Sequence, residues 1–184
     1  MEATKALASE AVATVVRRAQ HGDVAAFETL VTTQAGPIYR LARAFVGEAG
    51  ADDVSQDVFI AAWRALPRLR DPQRFGPWLH RIALNHCRSA VRGPGRVREI
   101  RPLDDAFDVE AAGDFRDGIE ARDVVGPAFR RLTHDQRAIV ALHYAAGLSI
   151  RECGEVLGVP EGTAKSRLSA ALQSLRLEIG RADR

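Results

Sequence analysis

The sequence predicts an all-α protein: two small helical domains, residues 1–93 and 126–184, joined by a flexible acidic linker over residues 94–125. Three observations predict it. Apolar residues recur at steps of three and four on both sides of the linker, the period of a helix with one buried face. The intervening stretch holds few large apolar residues and no sustained period, so it cannot bury enough surface to order itself. The formal charge breaks at the same places. Residues 1–59 are net −3, residues 60–101 carry 10 arginines against 2 acids for net +8, residues 102–125 are net −6, and residues 126–184 are net +3.

These numbers also bound the function. A chain of 184 residues holds one ordinary domain or two small ones. No apolar run approaches the roughly 20 residues that span a bilayer, so no membrane insertion is expected. The opening residues include Glu2 and Glu10 and do not read as a signal peptide. Cys87 and Cys153 are the two cysteines, which excludes a disulfide framework or an all-cysteine zinc site. A reducing cytoplasm follows as the expected setting. The basic block points to a polyanion and the acidic block to a solvated or basic partner, with solvated helix faces as the plainer alternative.

Taken in order, Asp23 caps a helix running through AAFETLV, which Gly36-Pro37 is expected to end. A second helix covers IYRLARAFVG. A third runs from about Asp52 to Leu66, burying Val54, Val58, Phe59, Ala62, Trp63 and Leu66, and Pro67 stops it. Pro77 suits the first position of a fourth, which buries Trp78, Leu79, Ile82, Ala83 and His86 and ends near Gly93-Pro94. Beyond the linker, Thr133 with Gln136 and Ser149 with Glu152 form two capping boxes. A short helix from Ile150 to Leu157, the turn Gly158-Val159-Pro160 and a longer helix from about Glu161 to Ile179 make a helix-turn-helix.

Two faces carry the chemistry of nucleic-acid binding. With Leu168, Leu172 and Leu175 turned inward, the last helix presents Gly162, Lys165, Ser166, Ser169, Gln173 and Arg176, small or hydrogen-bonding groups suited to bases and phosphates. An ordinary helical hairpin is the other reading of that pattern. On the fourth helix, Arg81, Asn85, Arg88 and Arg92 fall within about 60° of one another. Arg68, Arg70 and Arg74 extend that stripe into the preceding loop. Forked cations in one row suit phosphates, and the rings of Phe75, Trp78 and His86 lie nearby, with Trp78 expected in the core. Opposite the buried stripe of the third helix, Asp53, Gln56, Asp57 and Ile60 form an acidic face with one exposed apolar residue, able to dock a basic helix or simply to meet solvent. The five histidines show no metal-ligand spacing, no catalytic group stands out, and no cofactor is expected. Both thiols read as packing residues.

Together these stretches resemble a known family. GDVAAFETLV, IYRLARAFVG, ADDVSQDVFIAAWRALPRL and FGPWLHRIALNHCRSAVRG look like region two of bacterial sigma factors, in the extracytoplasmic-function (ECF) subgroup of the sigma-70 family. LTHDQRAIVALHYAAGLSIRECGEVLGVPEGTAKSRLSAAL looks like their region four. The resemblance implies a four-helix region-two domain, a helix-turn-helix region-four domain, and a transcription initiation factor with no catalytic activity. It implies that Asp53, Gln56, Asp57 and Ile60 meet core RNA polymerase. It implies that Arg68, Arg70, Arg74, Arg81, Asn85, Arg88 and Arg92 meet the melted minus-ten element, with residues 68–76 as the specificity loop. Lys165, Ser166, Arg167 and Ser169 would read the minus-thirty-five element of promoter DNA as duplex. An anti-sigma factor is the further partner that it implies. Promoter elements two turns apart lie about 70 Å from each other. A relaxed 32-residue coil spans about 30 Å. An extended linker is therefore expected, lying in a basic channel rather than along DNA.

The chain departs from the family in three places. Ser169-Ala170-Ala171-Leu172 stands where the recognition helix usually continues Ser-Arg-Ala-Arg, which predicts weaker duplex binding. Ser89 stands in place of an acid, and Cys153-Gly154 replaces an Ile-Ala pair, which predicts a looser helix-turn-helix core. These departures keep two alternatives open: a stand-alone helix-turn-helix regulator, and a degenerate sigma-like subunit that binds polymerase without reading promoters.

Overall fold

The computed structural model describes the backbone of residues 2–92 and 122–182, and the side chains of residues 10–91 and 127–181. The chain divides into two compact units, one on each side of residue 100. Regular structure among the described residues is entirely helical. Of the expected linker, residues 94–121 lie outside the described residues, and residues 122–125 belong to a helix.

The first unit holds α1 (Glu2–Gln20), α2 (Val24–Val46), α3 (Glu48–Ala65) and α4 (Phe75–Arg92), with short 3₁₀ turns at Leu66–Arg68 and Pro72–Arg74. Asp23 caps α2 as expected: its Oδ1 accepts from the Ala26 N–H at 3.0 Å and its Oδ2 from Arg18 Nε at 2.9 Å. The Ala26 N–H first, and then Arg18, hold this carboxyl below its ordinary range.

Gly36-Pro37 does not end a helix. It lies inside α2, joining what the sequence divided into two. Pro37 cannot donate to the carbonyl four residues back, and an internal proline costs roughly 3 kcal/mol. The flanking core supplies the compensation, since Ile38 and Leu41 are fully buried. Each such side chain contributes about 1.5–3 kcal/mol, so tertiary packing outweighs the local break. The four-helix count survives because α1 takes the vacated place. Gly47, at φ 78°, donates its N–H to the Arg43 carbonyl at 3.0 Å and turns the chain sharply into α3.

Two expectations about buried faces need correction. Trp63 is 36% exposed rather than core, tilted against Phe27 at 4.8 Å between ring centroids. Five residues at 100° each carry it about 140° round from Val58, off the buried stripe. On α4, Trp78 and His86 are only half-buried, while His80, Leu84 and Cys87 join Leu79, Ile82 and Ala83 in the core. Both α2 and α3 pack on α4, which covers a wide arc and leaves Trp78 on its rim against Phe75. The helix also starts two residues before Pro77.

The second unit holds α5 (Arg122–Arg131), α6 (His134–Val140), a π-helical turn (Ala141–Ala145), α7 (Ile150–Leu157) and α8 (Glu161–Ala182). Helices α5, α6 and α7 all pack on α8. Both predicted capping boxes form, at Thr133/Gln136 and Ser149/Glu152. Arg137, 8% exposed, reaches back to cap α5: its Nη2 donates to the Arg130 carbonyl at 2.6 Å and to Leu132 at 3.4 Å. Burial first, and the neighbouring Arg130 charge second, lower the pKa of this guanidinium.

Candidate nucleic-acid interfaces

In the first unit the basic residues singled out from the sequence stand on one loop and one helix. Arg68, Arg70 and Arg74 are exposed, and Arg74 Nε lies 4.0 Å from Asp71 Oδ2. The loop backbone has defined structure. The Leu69 N–H donates to Leu66 O at 3.0 Å, and Asp71 accepts from Gln73 N–H at 3.0 Å through Oδ1. On α4, Arg81 is exposed while Asn85 and Arg88 are half-buried. Arg92 closes α4, and its side chain lies outside the described residues. The arrangement offers separated cations beside the half-buried Trp78 and His86 rings, a surface matched to phosphates and unstacked bases.

On α3, Asp53, Gln56 and Asp57 are exposed and Ile60 is 48% exposed. Sequence reasoning missed part of this face. Trp63 stands one turn beyond Ile60, Phe27 packs on it, and Val24 is 58% exposed one turn before Phe27. An acidic row bordered by exposed apolar groups is therefore larger than a single isoleucine.

In the second unit, Gly162, Lys165, Gln173 and Arg176 are exposed on α8. Ser166 is half-buried, and its Oγ lies within hydrogen-bond distance of its own helix, 3.2 Å from Gly162 O and 3.1 Å from Thr163 O. Arg167 is half-buried. Ser169 is the misplaced residue: it is 4% exposed and does not lie on the outer face. Three helices pack on α8, so the covered stripe is wider than its leucine row requires. Of the two absent arginines, the one replaced by Leu172 falls at a core position, 3% exposed, while Ala170 is half-buried.

The helix-turn-helix is tightly closed. Gly158 takes the left-handed conformation at φ 72° and donates its N–H to the Gly154 carbonyl, and Val159 N–H bonds the same oxygen at 2.9 Å. A Cβ at Gly154 would lie 2.8 Å from the Val159 carbonyl oxygen. The looser core expected from Cys153-Gly154 is not observed: Cys153 is fully buried, and the turn occupies the space that an alanine methyl would need. Burial pushes both thiols up to about 12, with the Glu152 charge adding to the effect at Cys153.

Residues 30–97 match Sigma-70 region 2, and residues 126–175 match Sigma-70, region 4. The "ECF RNA polymerase sigma-E factor" of Escherichia coli strain K12 is 30% identical over 172 residues, covering 88% of this chain and 90% of that protein. The chain belongs to the ECF group of the sigma-70 family. The "RNA polymerase sigma-H factor" of Pseudomonas aeruginosa is 32% identical over 177 residues, again covering 88% of this chain and 90% of the relative. Two solved structures are similar as well. CnrH, in complex with the cytosolic domain of CnrY, superposes with a TM-score of 0.71 at 29% identity, covering 95% of this chain and 99% of that one. The sigma factor RpoE of Bartonella quintana, in complex with the anti-sigma factor NepR, gives 0.61 at 26% identity, covering 86% of this chain and 98% of that one. No described helix is long and apolar enough to cross a membrane.

Proposed function

We propose that this chain is a transcription initiation factor that binds core RNA polymerase, directs it to specific promoters and helps melt the minus-ten element. The observation that supports it best is the pairing of two different nucleic-acid surfaces in family order. A fixed loop and helix edge rich in arginine suit a melted strand, and a helix-turn-helix suits a duplex groove. Region two would span residues 1–93 and region four residues 126–184. In this reading Arg68, Arg70, Arg74, Arg81, Asn85, Arg88 and Arg92 hold the opened strand. Lys165 and Ser166 face the minus-thirty-five groove with Arg167 flanking them, and Ser169 supports the helix from inside. Asp53, Gln56, Asp57 and Ile60, with Trp63, receive polymerase. The protein works in the cytoplasm without catalysing a reaction itself, and an anti-sigma factor is its further partner, as the anti-sigma factor NepR is in the solved complex with RpoE of Bartonella quintana.

Run-off transcription from a genomic promoter library, with core polymerase and with or without this protein, tests the reading. Transcripts starting only in its presence are expected, with two shared upstream elements. Polymerase binding without transcripts would favour the degenerate subunit. Tight duplex binding without polymerase would favour the stand-alone regulator, and its salt slope would count the phosphate contacts.

A further inference from the structure

The basic loop between α3 and α4 is held from an unexpected direction. Gln20, the last residue of α1, lies 46 residues from Leu66 and 49 from Leu69. Its Nε2 donates to the Leu66 carbonyl at 3.1 Å and to the Leu69 carbonyl at 2.7 Å. Gln20 is half-buried, and Leu66 beneath it is fully buried. The other bonds described above join the loop to itself. They set its local turns without setting where it stands on the unit. Leu69 and Asp71 are extended, at ψ 109° and ψ 101°, so the segment between the two 3₁₀ turns has no helical ladder of its own. It also carries exposed Arg68, Arg70 and Arg74, whose like charges favour spreading apart. A single amide that spends both N–H groups on two carbonyls one turn apart ties the first 3₁₀ turn to α1, on which the second 3₁₀ turn also packs.

We propose that Gln20 is a positioning residue for this loop: by clamping Leu66 and Leu69 it sets how the loop arginines meet the melted strand, so base preference at the minus-ten element depends on α1. This rests on the functional reading above. The requirement is for a donor. Q20E keeps the length and shape of the side chain but turns a carboxylate toward two carbonyls. Q20K restores N–H donors one methylene further out. Both are good helix formers, so the pair does not depend on Q20A folding well.

The test uses holoenzyme assembled from core polymerase and the full chain, with labelled single-stranded oligonucleotides carrying each base at each minus-ten position. Wild type and Q20K are expected to show the same base preference. Q20E and Q20A should bind the preferred oligonucleotide about tenfold more weakly, the scale of one or two lost hydrogen bonds, and discriminate less among bases. Affinity for core polymerase and preference at the minus-thirty-five element should stay at wild-type values, which a general loss of folding would not allow. The proposal is overturned if Q20E and Q20K behave alike, or if preference falls at both promoter elements together. A wild-type holoenzyme that selects no oligonucleotide removes the functional reading itself, and this proposal with it.

Discussion

The two units are held together in opposite ways. The first is made of long helices, 18 to 23 residues, whose stability comes from broad mutual packing. The second places helices of 7, 8 and 10 residues against one long one, and its short pieces are each fastened locally. Capping boxes start α6 and α7, Arg137 closes α5, and a left-handed glycine closes α7. Short helices do not form alone, because nucleation costs more than a few bonds return. They need end groups satisfied, whereas long packed helices can carry a break such as Pro37 in their middle. Local punctuation governs one unit and burial governs the other.

The strongest way to break this contrast is at Gly154. Valine there would push its Cβ into the Val159 carbonyl, 2.8 Å away, with backbone rather than a flexible side chain to displace. G154V should destabilise the second unit by about 3 kcal/mol, at the upper end of the cost of overpacking. Native-state hydrogen exchange should show early opening of α7 and α8 with the first unit unchanged. The opposite sign is expected at Pro37. Replacing it with alanine restores a backbone donor inside α2 and should stabilise the first unit by about 2 kcal/mol, somewhat less than the full helix-propensity difference. Both tryptophans, Trp63 and Trp78, lie in that unit, so denaturation followed by fluorescence reads it alone. A neutral or destabilising P37A would mean that the proline kink itself is needed by the core.

The smallest effect is electrostatic. Glu178 accepts from Arg131 at 2.9 Å and from Arg181 at 2.8 Å, joining α5 to α8. Arg131 first and Arg181 after it hold its carboxyl below the ordinary value of 4.5. A depressed carboxyl stabilises the folded unit fully above its unfolded value, and that contribution is lost as pH falls through the folded value. E178Q should therefore be slightly less stable than wild type at neutral pH, with the difference vanishing in acid. Circular dichroism melts across pH 2–7 would expose a constant offset if the pairing were irrelevant.

Legibility followed the same division. In the second unit, side chains that announce helix ends lie within three or four residues of the groups they satisfy. The boxes at Thr133 and Ser149, the Ile150–Leu157 helix and the Gly158 turn were therefore readable from the chain. In the first unit the deciding contacts are distant. Gly36-Pro37 looks like a stop until Ile38 and Leu41 are seen in the core, and nothing near Gln20 marks its bonds to Leu66 and Leu69. The row of cations on α4 was drawn from spacing alone, and the structure leaves Arg81 exposed while Asn85 and Arg88 are half-buried. What lay beyond reach was how far neighbouring helices wrap around α4 and α8, which decides that Leu84 and Ser169 are inside. Trp63 was a different kind of miss, since a wheel drawn on α3 places it beside Ile60 and Gln56.

The two enclosed thiols have a consequence for the reactivity of this molecule. Burial pushes each thiol up to about 12, so neither is readily ionised at neutral pH, and the thiolate is the form that attacks peroxides and disulfides. Cys87 and Cys153 are thus held as enclosed packing groups in the form that reacts slowly.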